Sequence, residues 1–336
     1  MKFELSSRLR EPRISEQEGL LVESKVMSRN FLSLGGGRSG AAAALARYDA
    51  AASRAAHEVI KHYSTSFSWA TSLLQGRVRE DIRNLYAVVR IADEMVDGVV
   101  AQTGATKDDI RDRLDSYEAA VLAAPRQRFH QDLVLHAYAR SARRCGFQEN
   151  HVRAFFASMR RDIAHKECDA DGFDDYVYGS AEVIGLLCLA AFLAEETIED
   201  HEHERLEHGA RSLGAAFQKI NFLRDLGEDH HVLERRYFPQ LRGAELTESS
   251  KAEIIADIRV DLSAAREVIP RLPRRVRPAV VAATDIFTNL TDRLESTPAP
   301  EILANRLSVP ARTKATIITK AILATGQPRR RGGHNG

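Results

Sequence analysis

Apolar residues recur at three- and four-residue spacing through the body of the chain, and no β-branched runs alternate between hairpin turns. Ala, Leu, Arg and Glu dominate these segments, a composition that favours helix. The pattern predicts helices near 42–62, 65–75, 78–98, 107–123, 129–145, 149–165, 174–196, 204–230, 248–268, 275–295 and 311–325. Breaks fall at Gly76, Pro125, Gly146, the CDADG stretch around Gly172, Gly243, Pro270 with Pro273, and Pro298 with Pro300. Residues 1–40 mix charge, Ser and Gly without a period and read as a poorly ordered leader. Residues 327–336, with Arg329, Arg330 and Arg331, read as a basic disordered tail. No repeat or linker divides the middle, so residues 41–326 are expected to form one all-α domain.

Composition narrows the function classes. At 44% hydrophobic and 28% charged, the 336 residues can bury a sizeable core and remain soluble. Lys and Arg total 48 against 47 Asp and Glu, so bulk charge gives no case for binding nucleic acid. Cys145, Cys168 and Cys188 show no CxxC spacing, which argues against a disulfide framework or a structural zinc site. No run approaches the ~20 apolar residues that cross a bilayer, and MKFELSSRLREP lacks the apolar core of a secretory signal. The expectation is a cytoplasmic protein.

Two helices carry polar stripes where a core face belongs. In LYAVVRIADEMVDG, residues 85–98, apolar side chains spread around most of the helix, yet Tyr86, Arg90, Asp93 and Asp97 share a face within roughly 60°. In FQKINFLRDLGED, residues 217–229, Gln218, Asn221, Asp225 and Asp229 fall within roughly 80°, flanked by Arg224. A single DxxxD usually marks a solvated face, but such a face also carries Lys and Glu. These stripes hold short carboxylates, amides and Arg beside apolar neighbours. Paired carboxylates one turn apart repel, and burying them requires a cation. Hard oxygen donors from Asp93, Asp97, Asn221, Asp225 and Asp229 suit Mg²⁺, with Mn²⁺ as a substitute, better than zinc. Mg²⁺ shares its shell with phosphate oxygens, and the interleaved arginines complement the remaining phosphate charge. The residues therefore point to a diphosphate held between two acidic helices around a cavity.

These segments resemble the squalene/phytoene synthase family of class I isoprenoid synthases, from about residue 57 to residue 312. The blocks that carry the likeness are YSTSF at 63–67 with the LYAVVRIADEMVD that follows, YVYGSAEVIGLL at 176–187, and LGAAFQKINFLRDLGED through RRYFP at 213–239. The resemblance implies a single-domain helical bundle with a central cavity. It makes Asp93 with Asp97 and Asp225 with Asp229 the metal-binding pairs. Arg90 and Arg224 would contact diphosphate with Ser64, Ser66 and Tyr86 nearby, and Gln218 and Asn221 would line the second diphosphate region. Tyr176 falls on an active-site tyrosine, and Arg306 on a C-terminal diphosphate contact. Two positions depart from the family pattern. Glu94 stands where many members have a second aspartate, and Glu182 replaces a common glycine, read as a structural residue paired with an arginine.

What the resemblance implies chemically is a head-to-head condensation of two geranylgeranyl diphosphates through a cyclopropyl diphosphate to phytoene, in carotenoid biosynthesis. No NADPH is expected. Squalene or dehydrosqualene synthesis from farnesyl diphosphate is the alternative, and a non-catalytic scaffold relative is the alternative of another class. Apolar residues of 176–192, such as Ile184, Leu187 and Phe192, are candidate channel walls. Such greasy substrates imply peripheral membrane contact on the inner face of the cell membrane. His201, His203 and His208 read as a polar surface connection, and His230 and His231 follow the second acidic motif. Oligomeric state has no signature in the sequence.

Overall fold

A computed structural model describes residues 37–97, 99–164, 170–228, 238–241 and 246–326. Among them are fourteen α-helices and no strand, as the hydrophobic spacing predicts. Among the described residues, those to Ala50 and those from Ala51 form separate compact units, and the site lies within the second. The helices are α1 (Gly37–Tyr63), α2 (Thr65–Ser72), α3 (Gly76–Asp97), α4 (Val99–Gln102), α5 (Lys107–Ala123), α6 (Leu133–Cys145) and α7 (Glu149–Ala164). They continue as α8 (Ala170–Val177), α9 (Val183–Leu193), α10 (Asp200–Glu228), α11 (Glu248–Val268), α12 (Arg277–Ser296), α13 (Ala299–Ala304) and α14 (Ala311–Gly326). Most of the expected leader and the whole expected tail, with His230 and His231, lie outside the described residues.

Local chemistry sets the boundaries. Thr106 and Thr247 each make a reciprocal capping box with the residue three positions on, Asp109 and Ser250, and so start α5 and α11. Asp132 accepts from the Leu135 amide at 2.9 Å, so α6 begins at Leu133 and not near residue 129 as the periodicity predicts. α1 begins at Gly37, inside the stretch read as leader, because an alanine-rich run carries the helix toward the N-terminus. The helix expected over 174–196 is interrupted by a π-helical turn, Tyr178–Glu182, between α8 and α9. That stretch also corrects the reading that no segment is apolar enough to span a bilayer. Gly172–Leu193 is long and apolar enough to cross a membrane. In this fold it is a core element, packed against α3, α7 and α10.

Two packing devices position the site. α3 is riveted to α6 by a buried polar network: Asn84 Nδ2 donates to Ser141 Oγ at 2.9 Å, and Ser141 Oγ donates to Asp81 Oδ1 at 2.6 Å. Arg144 pairs with the Asp81 carboxylate and neutralises it. The network fixes α3 upstream of its acidic stripe, while Asn84 Oδ1 is buried without a hydrogen-bond partner. Between α9 and α10 the backbones come into near contact. A Cβ at Gly185 would lie 2.2 Å from the Ala210 carbonyl oxygen, and one at Gly214 would lie 2.4 Å from that of Ala181. Only glycine permits this approach. Large aliphatic side chains such as Ile82, Leu206, Ile220 and Leu223 are fully buried around these helices, each worth about 1.5–3 kcal/mol relative to exposure.

Candidate active site

A cavity of about 870 Å³ runs between α2, α3, α9, α10 and α12, with the segment from Arg306 to Lys314 at one end. Its lining changes along each helix in the same sense. On α10 the lining residues pass from Leu206 through Leu213 and Phe217 to Gln218, Asn221 and Arg224. On α3 they pass from Ile82 to Tyr86 and Arg90. One end is therefore polar and cationic, and the other is apolar.

At the polar end the two acidic stripes are held differently. Arg90 pairs with Asp93 at 2.5 Å and with Glu94, so one guanidinium serves two carboxylates of its own helix. Burial works against the charge of Arg90, and Asp93 with Glu94 more than offset it, holding its pKa above the ordinary value. The guanidinium also lies 4.6 Å from the centre of the Tyr63 ring. Asp225 accepts from Arg224 Nε at 2.7 Å and from Arg306 Nε at 2.8 Å. Arg306 reaches across because α13 packs on α10 at Gly227, where a Cβ would lie 2.1 Å from the Leu303 carbonyl oxygen.

Ser64 caps α2, accepting from the Phe67 amide at 3.2 Å, and its hydroxyl also bonds the Tyr86 phenol. Burial raises the Tyr86 pKa, so the phenol stays protonated and can donate. Phe67 stacks on Tyr86 with ring centres 5.4 Å apart. Gln218, Asn221 and Arg224 line the cavity one to two turns apart on α10. Asp93 and Asp225 stand at its rim, each tied to an arginine that does line it. The backbones of Ser66 and Asp97 lie in α2 and α3, and Asp229 lies outside the described residues.

Tyr176 is the residue the structure sets apart from the others. It is buried among Phe173, Phe222 and Phe238, donates to Asp162 Oδ2 at 2.7 Å, and does not line the cavity. The aromatic cluster and the Asp162 carboxylate hold its ring in the core. Of the candidate walls, Ile184 and Phe192 line the cavity, whereas Leu187 packs into the α3–α7 core. Glu182 pairs with Arg211 at 2.6 Å, as expected for a structural acid, and that guanidinium sits 5.4 Å from the Tyr178 ring centre. His201, His203 and His208 are exposed, with His203 3.5 Å from Glu207.

Lys314 is a cavity residue that the sequence reading passes over. It lines the polar end, and burial followed by the charge of Arg224 lowers its pKa. The signal was present in α14. Lys314 shares a packed stripe with Ile317, Ile318, Ala321 and Thr325, where a solvated lysine does not belong.

The donor chemistry fits a hard divalent cation: the carboxylates of Asp93 and Asp225 and the side-chain amide of Asn221 present oxygen ligands around cationic side chains that complement phosphate. Among the described residues, no three His, Cys, Asp or Glu side chains form a ready-made metal cluster. The carboxylates face arginines instead.

Comparison with known proteins agrees with this geometry. Residues 60–313 match the family model described as squalene/phytoene synthase. The 4,4'-diapophytoene synthase of Staphylococcus haemolyticus is 29% identical over 202 residues, 60% of this chain and 67% of that protein. The phytoene synthase of Mycobacterium bovis is 25% identical over 293 residues, covering 81% of this chain and 91% of that protein. The chain spans 52% of a bifunctional lycopene cyclase/phytoene synthase of Neurospora crassa, at 23% identity over 80% of its own length. A ligand-bound dehydrosqualene synthase superposes with a TM-score of 0.69 at 19% identity, covering 83% of this chain and 98% of that one. A squalene synthase from Alicyclobacillus acidocaldarius gives 0.63 at 18% identity, covering 74% and 95%. With 60–313 matched, the chain belongs to the squalene/phytoene synthase family, prenyltransferases that condense two prenyl diphosphates head to head.

Proposed function

We propose that the protein joins two geranylgeranyl diphosphates through a cyclopropyl diphosphate to give phytoene, with Mg²⁺ at the acidic stripes. The observation that carries the reading is the polarity of one cavity. A cationic end with rim carboxylates leads directly into a long apolar body. From Ser180 to Phe192 the α8–α9 wall runs roughly 18 Å at 1.5 Å per residue. Small side chains such as Ala70, Thr71, Ala265 and Ala283 line it, which supports a C20 chain lying along it. The phytoene synthase relative, matched over most of both chains, supports the same choice.

Each residue has a role that follows from its place. Arg90, Arg224, Arg306 and Lys314 bind phosphate oxygens, and protonated Tyr86 donates to them. Mg²⁺, when bound by Asp93, Asp97, Asn221, Asp225 and Asp229, supplies Lewis-acid charge for departure of the diphosphate. Arginines that turn to phosphate release the Asp93 and Asp225 oxygens for the metal. Phosphate binding and metal binding therefore favour one another. The apolar walls exclude water from the allylic and cyclopropyl cations. The final cation loses a proton, and no hydride donor is needed.

The test is incubation with geranylgeranyl diphosphate and Mg²⁺, without NADPH, and mass analysis of the extracted hydrocarbon. A C40 product that requires Mg²⁺ is the expected result. A C30 product from farnesyl diphosphate alone would replace the substrate, a reading favoured by the diapophytoene synthase relative. Folded protein inert toward both would point to a scaffold role.

A further inference from the structure

Four glycines of the bundle make room for backbone. A Cβ at Gly179, Gly185, Gly214 or Gly227 would run into the carbonyl oxygen of a neighbouring segment. Gly209, in the first half of α10, is different. A Cβ there would overlap the Val268 side chain, falling inside contact distance of Cγ2 and 3.0 Å from both Cβ and Cγ1. Such a methyl fits only if Val268, the last residue of α11, turns or shifts. Being β-branched, Val268 has few rotamers to turn to. Helix formation gives no reason for the glycine, the poorest interior helix former after proline.

Both members of this contact line the cavity, in its apolar body. Around them lie Leu206 of α10, Ala265 of α11, and Ile269 and Leu272 just past the end of α11. The nearest polar cavity residue on α10, Gln218, is nine residues further on, roughly 14 Å along the helix axis. A prenyl chain anchored by its diphosphate at the polar end therefore reaches Gly209 only with its far carbons. We propose that Gly209 sets the length of prenyl chain the cavity accepts: it lets Val268 lie back against α10 and leaves the space toward Leu206 and Leu272 open. A side chain at this position drives Val268 into that space. The inference rests on the prenyl diphosphate reading and gives that site a length-determining residue.

The experiment measures binding and not turnover. Geranyl, farnesyl and geranylgeranyl diphosphates are titrated calorimetrically into the full chain without Mg²⁺. In the parent each longer chain binds more tightly, by up to about fourfold for each further methylene buried. Gly209→Ala leaves the geranyl affinity within about twofold of the parent and lowers the geranylgeranyl affinity at least tenfold. Adding Val268→Ala to Gly209→Ala restores it to within about threefold, because the overlapping methyl is gone. Val268→Leu, which enlarges the same side chain without touching α10, reproduces the selective loss and carries the test if Gly209→Ala does not fold. Circular dichroism spectra matching the parent establish that the variants are folded. An equal loss for all three ligands, a geranylgeranyl affinity unmoved by Gly209→Ala, or a folded double variant that does not recover overturns the proposal. A parent that binds longer chains more tightly yet turns none over defeats the catalytic reading alone.

Discussion

The two acidic stripes are built from nearly the same residue types but held together at different ranges. On α3, Arg90 neutralises Asp93 and Glu94 three and four residues away, within one helix turn. On α10, Asp225 is shared between neighbouring Arg224 and Arg306, 81 residues further along the chain. The first stripe is a local device that forms whenever α3 is helical. The second is complete only when α13 has docked. The difference is one of assembly: α3 presents a preset charge cluster, and α10 is closed by a separate arm.

Removing each carboxylate tests that contrast most strongly. Asp93→Asn and Asp225→Asn are each expected to lower kcat by on the order of 10²–10³-fold, since each removes charge where diphosphate departs. Their stabilities should then diverge. After Asp93→Asn, Arg90 keeps Glu94, and urea unfolding should shift by less than about 1 kcal/mol. Asp225→Asn strips two guanidiniums of a partner about one-fifth exposed, and should cost about 1.5–3 kcal/mol. Equal losses in the two variants would remove the distinction between local and distant closure.

The arm itself comes next. Arg306→Gln should lower kcat/KM by about 10–100-fold through the lost phosphate contact. Its stability effect should be small, because Arg306 is 61% exposed. A metal readout separates its two roles. Without diphosphate, Mn²⁺ followed by its electron paramagnetic resonance should bind the variant a few-fold more tightly, since Asp225 has lost a competitor. With inorganic pyrophosphate present, the order should reverse. Weaker Mn²⁺ binding under both conditions would mean that Arg306 supports the site rather than competing within it.

The contrast also explains what could be read from sequence. Tyr86, Arg90 and Asp93 lie on one helix face, so the 3.6-residue period alone gathers them. Gln218, Asn221 and Asp225 are gathered in the same way. Arg306 came from family likeness, because no periodicity links it to Asp225, and Lys314 was passed over although it occupies a packed stripe. Tyr176 rests on family likeness as well. Its hydroxyl donates to Asp162 from α7 and its ring packs on Phe222 from α10, partners that no local pattern reveals. The π turn was equally hidden, since Val183–Leu193 is apolar on every side and carries no period that an inserted residue could break.

Gly227→Ala probes the same arm from behind. Its Cβ meets the Leu303 carbonyl, a backbone atom that cannot rotate away, so α13 must shift or α10 must bend. The expected cost is about 1–3 kcal/mol in urea unfolding. The informative result is kinetic: the variant should show the Arg306→Gln signature in milder form, with kcat/KM down several-fold and Mn²⁺ binding slightly tighter without pyrophosphate. A stability loss with unchanged kinetics would show that Arg306 finds Asp225 without help from the close contact.

The smallest effect is expected at Glu182, the acid that sits beside the cavity wall but outside the catalytic set. Its described partner is Arg211, a guanidinium half in solvent that also rests on the Tyr178 ring. Glu182→Gln keeps the side-chain shape and removes only the charge, and Arg211 retains water and the aromatic face. The unfolding midpoint should therefore correspond to a loss below about 1 kcal/mol, with kcat and KM within about twofold of the parent. Tenfold loss of kcat in a variant of parental stability would contradict this reading. It would mean that the field of this carboxylate reaches the reacting carbons, and the site would then have three acidic walls instead of two.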